Sequence, residues 1–361
     1  MKSRMLVAIV LMFVVVVVGC KSKETTSAML HNDAGRPDLA IETAKQGLAK
    51  DPNDAEAYFQ LGVAYSQLDS VGHAYNSFSK SAELEPTREQ LANDNIQSNF
   101  ARHYNIGLNL SRDDNLVGAA REFEMATMAD PRQGKGYFML GSAYERLGET
   151  DEDYYPEAIE ALDKVLELST PADKQYIDAL ALTGEVLARM GRPEEAISRF
   201  NRLVEEDPTN YRVIEKIGYD LLDQQDWKGA AVFLELSSRA RAKIGADDFN
   251  LYYNLGVANF QTGRRHDDEP ADLDVLANAV DFYQQALNLQ PDEPQTVFNI
   301  VVAYSAAKDW TQVIAWGEKY VSLNADNPQA WRLMSRAYNE TGNDAKAREC
   351  ASRYEELQQD R

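Results

Sequence analysis

The chain has 361 residues, 58 acidic against 37 basic, giving a net charge of −21 at neutral pH. That balance argues against a nucleic-acid ligand, which needs a basic surface, and two cysteines cannot build a disulfide framework. Hydrophobic residues make up 44% of the chain, so stability has to come from side-chain packing.

At the N-terminus, Lys2 and Arg4 precede an apolar run from Met5 to Val18 that ends in Gly19-Cys20. A basic start followed by a short apolar stretch reads as a secretory signal, and Met5 to Gly19 falls short of the roughly 20 residues needed to span a bilayer. Val17-Val18-Gly19-Cys20 resembles the bacterial lipobox, in which a small residue precedes a cysteine that carries diacylglycerol. The resemblance implies a lipoprotein signal peptide over 1–19, lipidation at Cys20 and a short tether over 20–27. It also implies a lipid anchor in a bacterial cell envelope, facing the periplasm. In that family an Asp after the cysteine marks inner-membrane retention; Lys21 stands there, which favours the outer membrane. Without Lys2 and Arg4 the 37 basic residues fall to 35 against 58 acidic, a net charge of −23, suited to a domain facing away from an anionic bilayer. Lipidation would leave Cys350 alone, and a small buried hydrophobe is its expected role.

Beyond the tether the chain repeats itself. Tyr58, Leu61, Gly62, Tyr65, Ala74, Phe78 and Pro86 recur, with substitutions, as Tyr137, Leu140, Gly141 and Tyr144, and as Ala196, Phe200 and Pro208. Gly62, Gly107, Gly141, Gly184, Gly218 and Gly256 share one slot with Val301 and Ser335. A second slot holds Ala74, Ala119, Ala158, Ala196, Ala230, Ala279, Val313 and Ala347, usually followed four positions later by Phe78, Phe123, Leu162, Phe200, Leu234 or Tyr283. The spacing is similar to the tetratricopeptide pattern of about 34 residues per repeat, a helix-turn-helix unit. The resemblance implies an all-α, right-handed α-solenoid of about eight to nine repeats over 28–361, with first helices lining its concave face. Apolar residues recur every three or four positions and no strand-like alternation is sustained. Gly-Arg-Pro at 35–37 and 191–193 breaks one helix and opens the next, and Asp-Pro at 51, 130 and 207 closes a repeat.

Three stretches break the period: an extra segment at about 87–99, expected as a short added helix, and insertions at about 149–157 and 264–278. The last holds five carboxylates between His266 and Asp274, enough in principle for calcium. It lacks the glycine and terminal glutamate of an EF-hand loop, and a solvated acidic loop beside Arg264 and Arg265 is expected.

If first helices face a groove, residues three before the glycine point into it: Phe59, Tyr104, Phe138, Ala181, Glu215, Tyr253, Phe298 and Arg332. One turn on come Val63, Leu108, Ser142, Glu185, Tyr219, Val257, Val302 and Arg336, so an apolar stripe is interrupted at Glu185 and Glu215. Two before the glycine stand Gln60, Asn105, Asn254 and Asn299, amides able to hold a peptide backbone. Some tetratricopeptide proteins use such an asparagine ladder, matched here only in part because Met139, Leu182, Lys216 and Leu333 interrupt it. The Lys, Arg and Asn set of a carboxylate clamp is not found at adjacent groove positions, which disfavours a chaperone-tail clamp.

The partner-binding groove is therefore expected at Phe59, Gln60, Tyr104, Asn105, Phe138, Tyr253, Asn254, Phe298 and Asn299, for an extended peptide or a helix. His31, His73, His103 and His266 are scattered and no Walker, Gly-x-Ser-x-Gly or His-Glu-x-x-His motif is present, so neither catalysis nor a cofactor or metal is expected. The resemblance implies an envelope scaffold of the kind that assists secretin and pilus assembly, outer-membrane insertion or cell-wall machinery. The alternative is a periplasmic carrier that binds glycan or peptidoglycan fragments on the same aromatics and amides.

Overall fold

The computed structural model describes residues 22–264 and 270–359, all of them in helices or the turns between them. Cys20, the signal segment and Arg265 to Glu269 lie outside the described residues. The chain divides into two units, Met1–Ala143 and Tyr144–Arg361.

In the first unit, α1 (Lys23–Asp33), α2 (Pro37–Lys50), α3 (Ala55–Gln67), α4 (Val71–Leu84), α5 (Glu89–Arg112) and α6 (Leu116–Ala129) form three antiparallel hairpins, and α7 (Gly134–Gly148) carries the boundary. The second unit continues with α8 (Tyr155–Leu168), α9 (Lys174–Arg189), α10 (Pro193–Glu206), α11 (Tyr211–Asp223) and α12 (Trp227–Lys243). It ends with α13 (Phe249–Gly263), α14 (Leu273–Leu289), α15 (Pro294–Ala307), α16 (Trp310–Leu323), α17 (Pro328–Glu340) and α18 (Asp344–Gln359). Within each unit most helices pack on their chain neighbours, as in α1 with α2, α3 with α4, α5 with α6, α13 with α14 and α17 with α18. Alternate helices also touch, as in α1 with α3, α4 with α6, α9 with α11, α10 with α12 and α15 with α17. Each unit is thus a two-layer stack, first helices in one layer and second helices in the other, the solenoid arrangement in which only neighbouring repeats share a core.

The recurring glycine explains how the layers close. At Gly62 an added Cβ would meet the Phe78 ring at 2.6 Å, and Gly107 faces Phe123, Gly184 faces Phe200 and Gly218 faces Leu234 at 2.6–2.7 Å. A hydrogen at that position lets the large residue of the second helix lie flat on the first helix, and Phe78, Phe123, Phe200 and Leu234 are all fully buried. Each such side chain contributes on the order of 1.5–3 kcal/mol by leaving water. In the α15–α16 hairpin the sizes are exchanged: Val301 fills the glycine slot, fully buried, while Gly317 stands where the aromatic is expected and sits under Met334.

Seven hairpin turns share one geometry. Gly35, Asp69, Asp114, Gly191, Gln225, Lys308 and Gly342 all adopt φ between 58° and 80°. The next residue's N–H reaches back to the helix, for example Arg192 N to Leu187 O at 2.9 Å and Asp309 N to Tyr304 O at 3.0 Å. This left-handed residue with its 6→1 bond is the common way to end a helix, and glycine meets it at least steric cost.

The period breaks are built differently from the expected short helix and loops. Residues 89–99 are the first three turns of α5, which runs unbroken for 24 residues. Ala92, Ile96, Phe100 and His103 form one buried stripe along it, and Ala92 and Ile96 pack on Phe59, Ala74 and Phe78. Of the stretch 149–157, Asp151 caps a short 3-10 turn, and α8 begins at Tyr155, whose ring is buried beneath Gly148. From 273 onward the third stretch is helix: Asp272 caps α14 and Leu276 is buried. A Cβ at Gly263 would come within 3.0–3.1 Å of the backbone of Leu276 and Asp272, so glycine there lets the insertion return close to its start. The segment expected as tether is also helical from Lys23, because Ser22 Oγ accepts from Thr25 N at 3.0 Å and Thr25 donates to Asp54 at 2.6 Å. Cys350 is buried against Met334 and Tyr338, and burial raises its thiol pKa.

Candidate functional site

In the first unit, Phe59 and Gln60 are not available to a partner. Phe59 is 9% exposed and packs on Phe78 at 5.3 Å between ring centroids. Gln60 donates to Glu56 at 2.8 Å and accepts from Asn32 Nδ2 at 2.8 Å, while Arg88 pairs with Glu56 at 2.7 Å. These corrections share one cause. The added turns of α5 and the first hairpin cover that stretch of α3, and a buried amide must spend its groups internally.

Tyr104 is half-buried, stacked on Phe100 at 5.4 Å and tilted on Phe123 at 5.9 Å, with the Lys135 ammonium 5.5 Å from its ring centroid. Burial raises its pKa. Asn105 is exposed and Phe138 half-buried, both in the first-helix layer. His103, which no motif singled out, is buried and bonded to Glu122 at 2.8 Å and lies 3.2 Å from Asp69, tying α5 to α6 and to the α3–α4 turn.

In the second unit Tyr253, Asn254, Phe298 and Asn299 are brought together on α13 and α15, all half-buried. Tyr253 stacks on Phe249 at 5.9 Å and tilts against Tyr283 at 6.0 Å, and Phe298 leans on Tyr320 at 5.0 Å. Asn299 is tied to a tyrosine hydroxyl. Asn299 Nδ2 donates to Tyr253 at 3.3 Å, and burial pushes up the pKa of Tyr283. On α11 the Tyr219 hydroxyl donates to Glu215 at 3.2 Å. Burial first, and Glu215 second, push the Tyr219 pKa up to about 12.

Glu215, expected to interrupt the stripe, is the hub of a buried ion pair. Arg241 bonds both its oxygens at 2.9–3.1 Å, donates to Ala246 O at 2.9 Å and lies 4.1 Å from the Tyr211 ring centroid. Such a bidentate pair compensates both charges with geometry that lysine cannot match. Glu185 behaves otherwise: it lines a cleft of 230 Å³ between α9 and α11, floored by Val213, Ile217 and Leu221 and flanked by Lys216 and Asp220. Burial raises its pKa against the opposing pull of Arg189 and Lys216. Sequence reasoning missed both arrangements, and the one available signal was charge at inward register positions.

Tetratricopeptide repeat family models match the chain, one over residues 26–74 and 154–211 and another over 134–170. The chain is a tetratricopeptide repeat protein. It shares 18% identity with YrrB, described as a TPR protein with an unusual peptide-binding site, over 56% of this chain and 94% of that one, at a TM-score of 0.36. A MamA structure is 21% identical over 49% of this chain and 95% of its own, at 0.35. Pseudomonas aeruginosa pilF is 18% identical over 63% and 97%, at 0.30. Likenesses at this level carry no argument about what this repeat protein binds. No curated protein matches the chain. Among the described residues no group of side chains could hold a metal ion, and no helix is long and apolar enough to cross a membrane.

Proposed function

We propose that this repeat protein is a lipid-anchored scaffold of a bacterial cell envelope, held through Cys20 and facing the periplasm, with the outer membrane favoured. It holds an extended segment of a protein partner against the first-helix layer. Repeats of this kind recognise by surface, without bond chemistry. The observation that carries the reading is the face formed by Tyr253, Asn254, Phe298 and Asn299: aromatic rings packed on one side and left half open, beside two half-buried amides of which Asn299 tethers Tyr253. An amide has two donors and two acceptor sites. The anchor rests on Lys2, Arg4, the apolar run and the Val17-Val18-Gly19-Cys20 box.

Photo-crosslinking residues at Asn254 and Asn299 in native membranes test the face. One protein captured at both, and absent from a probe at exposed Asn288 on α14, supports the reading; capture at Asn288 alone contradicts it. Cys20→Ser tests the anchor, since the protein should move from the membrane to the soluble fraction.

A further inference from the structure

We propose that the last hairpin of the second unit binds an acidic peptide segment, its carboxylates held by Arg332, Arg336 and Arg348. The inference rests on the scaffold reading and adds the chemistry of the partner.

The three arginines line one open cleft of 610 Å³ between α17 and α18, together with Asn339, Asp344 and Tyr354. Several arginines of this unit are matched with acid, Arg189 with Glu145 at 2.5 Å, Arg192 with Glu195 at 2.6 Å, Arg199 with Asp163 at 2.8 Å and Arg241 with Glu215 at 2.9 Å, while Arg202, Arg212 and Arg239 meet Tyr176, Tyr211 and Asn201 instead. Arg332 and Arg348 have no carboxylate in ion-pair range among the described residues. Arg336 lies 4.9 Å from the Trp310 ring centroid and 3.9 Å from Glu340.

Arg332 and Arg336 are four residues apart on one helix, a spacing at which like charges repel. Arg348 adds a third positive charge from the facing helix, and Asp344 is the one acid in the lining. In a chain with 58 acidic residues the three guanidinium groups here face only Asp344 and Glu340, which leaves a local excess of positive charge. A guanidinium presents its donors as a planar fork that fits a carboxylate with two parallel bonds. The Asn339 side chain has no partner among the described residues and offers a donor and an acceptor of the kind a peptide backbone uses. Tyr354, Ala347 and Ala351 give the cleft an apolar wall, which a small inorganic anion would leave unused. Arg332 and Arg336 occupy the same register positions as Phe298 and Val302 one repeat earlier, so the cleft lies in the same layer as the aromatic face. Its third arginine comes from a second helix, which distinguishes it from a clamp made of first helices alone.

The test is fluorescence anisotropy of the full chain with a dye-labelled peptide of alternating Glu and Ala, beside the same peptide with Gln for Glu. The Glu peptide is expected to bind, more weakly as salt rises, and the Gln peptide at least tenfold less tightly. Arg332→Gln and Arg348→Gln should each weaken binding about tenfold, the worth of one charge-assisted hydrogen bond, with unchanged far-UV circular dichroism. Equal binding of the two peptides, native-like binding by the Arg332→Gln/Arg348→Gln variant, or displacement by inorganic phosphate at matched charge concentration overturns the proposal. Crosslinking at Asn254 and Asn299 separates the two readings. If capture there persists while the Glu peptide does not bind, the acidic-peptide inference fails and the scaffold reading stands.

Discussion

Two glycines of the first unit should respond to alanine with opposite signs. At Gly62 the new Cβ would lie 2.6 Å from two atoms of the Phe78 ring and 2.8 Å from a third, and Phe78 is fully buried with nowhere to turn. Ordinary carbon contacts lie at about 3.5–4.0 Å, so α3 and α4 would have to separate by about 1 Å. Overpacking of that kind costs about 1–3 kcal/mol. The helix gains up to about 1 kcal/mol when glycine becomes alanine, leaving Gly62→Ala destabilised by about 1–2 kcal/mol. At Gly72, on α4, the nearest atom to an added Cβ is Met128 Cβ at 3.9 Å. No clash opposes the propensity gain, and Gly72→Ala should stabilise by up to about 1 kcal/mol. Solenoids open locally, so the readout is hydrogen exchange of amides in α3 and α4 rather than one global midpoint. Protection should fall in the first variant and rise in the second. Unchanged or higher protection in Gly62→Ala would refute the claim that the glycine register sets the distance between layers.

Arg241→Ala strips the partner from Glu215, a residue only 7% exposed, and should cost about 3–5 kcal/mol as an uncompensated buried charge; chemical denaturation followed by exchange in α11 and α12 reads it. Lys308→Gly relieves a side chain held at φ 60° and should stabilise α15–α16 by about 1 kcal/mol, measured by thermal unfolding. Stability should also decline at alkaline pH. Tyr219 and Tyr252 are pushed up to about 12, Tyr252 by burial and then by its hydrogen bond to Asp247, whereas both ionise near 10 when unfolded. Between pH 10 and 12 the unfolded chain therefore binds fewer protons than the folded one, and the stabilisation present below pH 10 is lost across that window. Denaturation midpoints should fall across that range, and less steeply in Tyr219→Phe.

The fold was largely legible because its rule is local. Gly62 with Phe78, Gly107 with Phe123 and Gly184 with Phe200 stand at fixed spacing, and each pair meets in the structure. The helix bounds at the period breaks were less legible. Nothing between Glu89 and Arg112 stops a helix, so α5 absorbed the extra residues, whereas a repeat count alone suggested a separate element. Site positions were harder still, because register names the residues on a face but says nothing of what lies over them. Phe59 and Gln60 share their rows with Tyr253 and Asn254, yet the first pair is buried and the second half open. Arg332 and Arg336 likewise read as the end of an aromatic stripe, and their significance appears only when Arg348 arrives from the facing helix.

The central claim, that the first-helix layer of the second unit holds a protein segment, is tested most directly by crosslinking from Asn254 and Asn299 in the native membrane, repeated with Tyr253→Ala and Phe298→Ala. The account predicts a single partner captured from both positions, with yield falling at least tenfold when the two rings are removed and the fold is retained. Equal yields with and without those rings, or no capture from either position while a probe at Asn288 reacts, would contradict it.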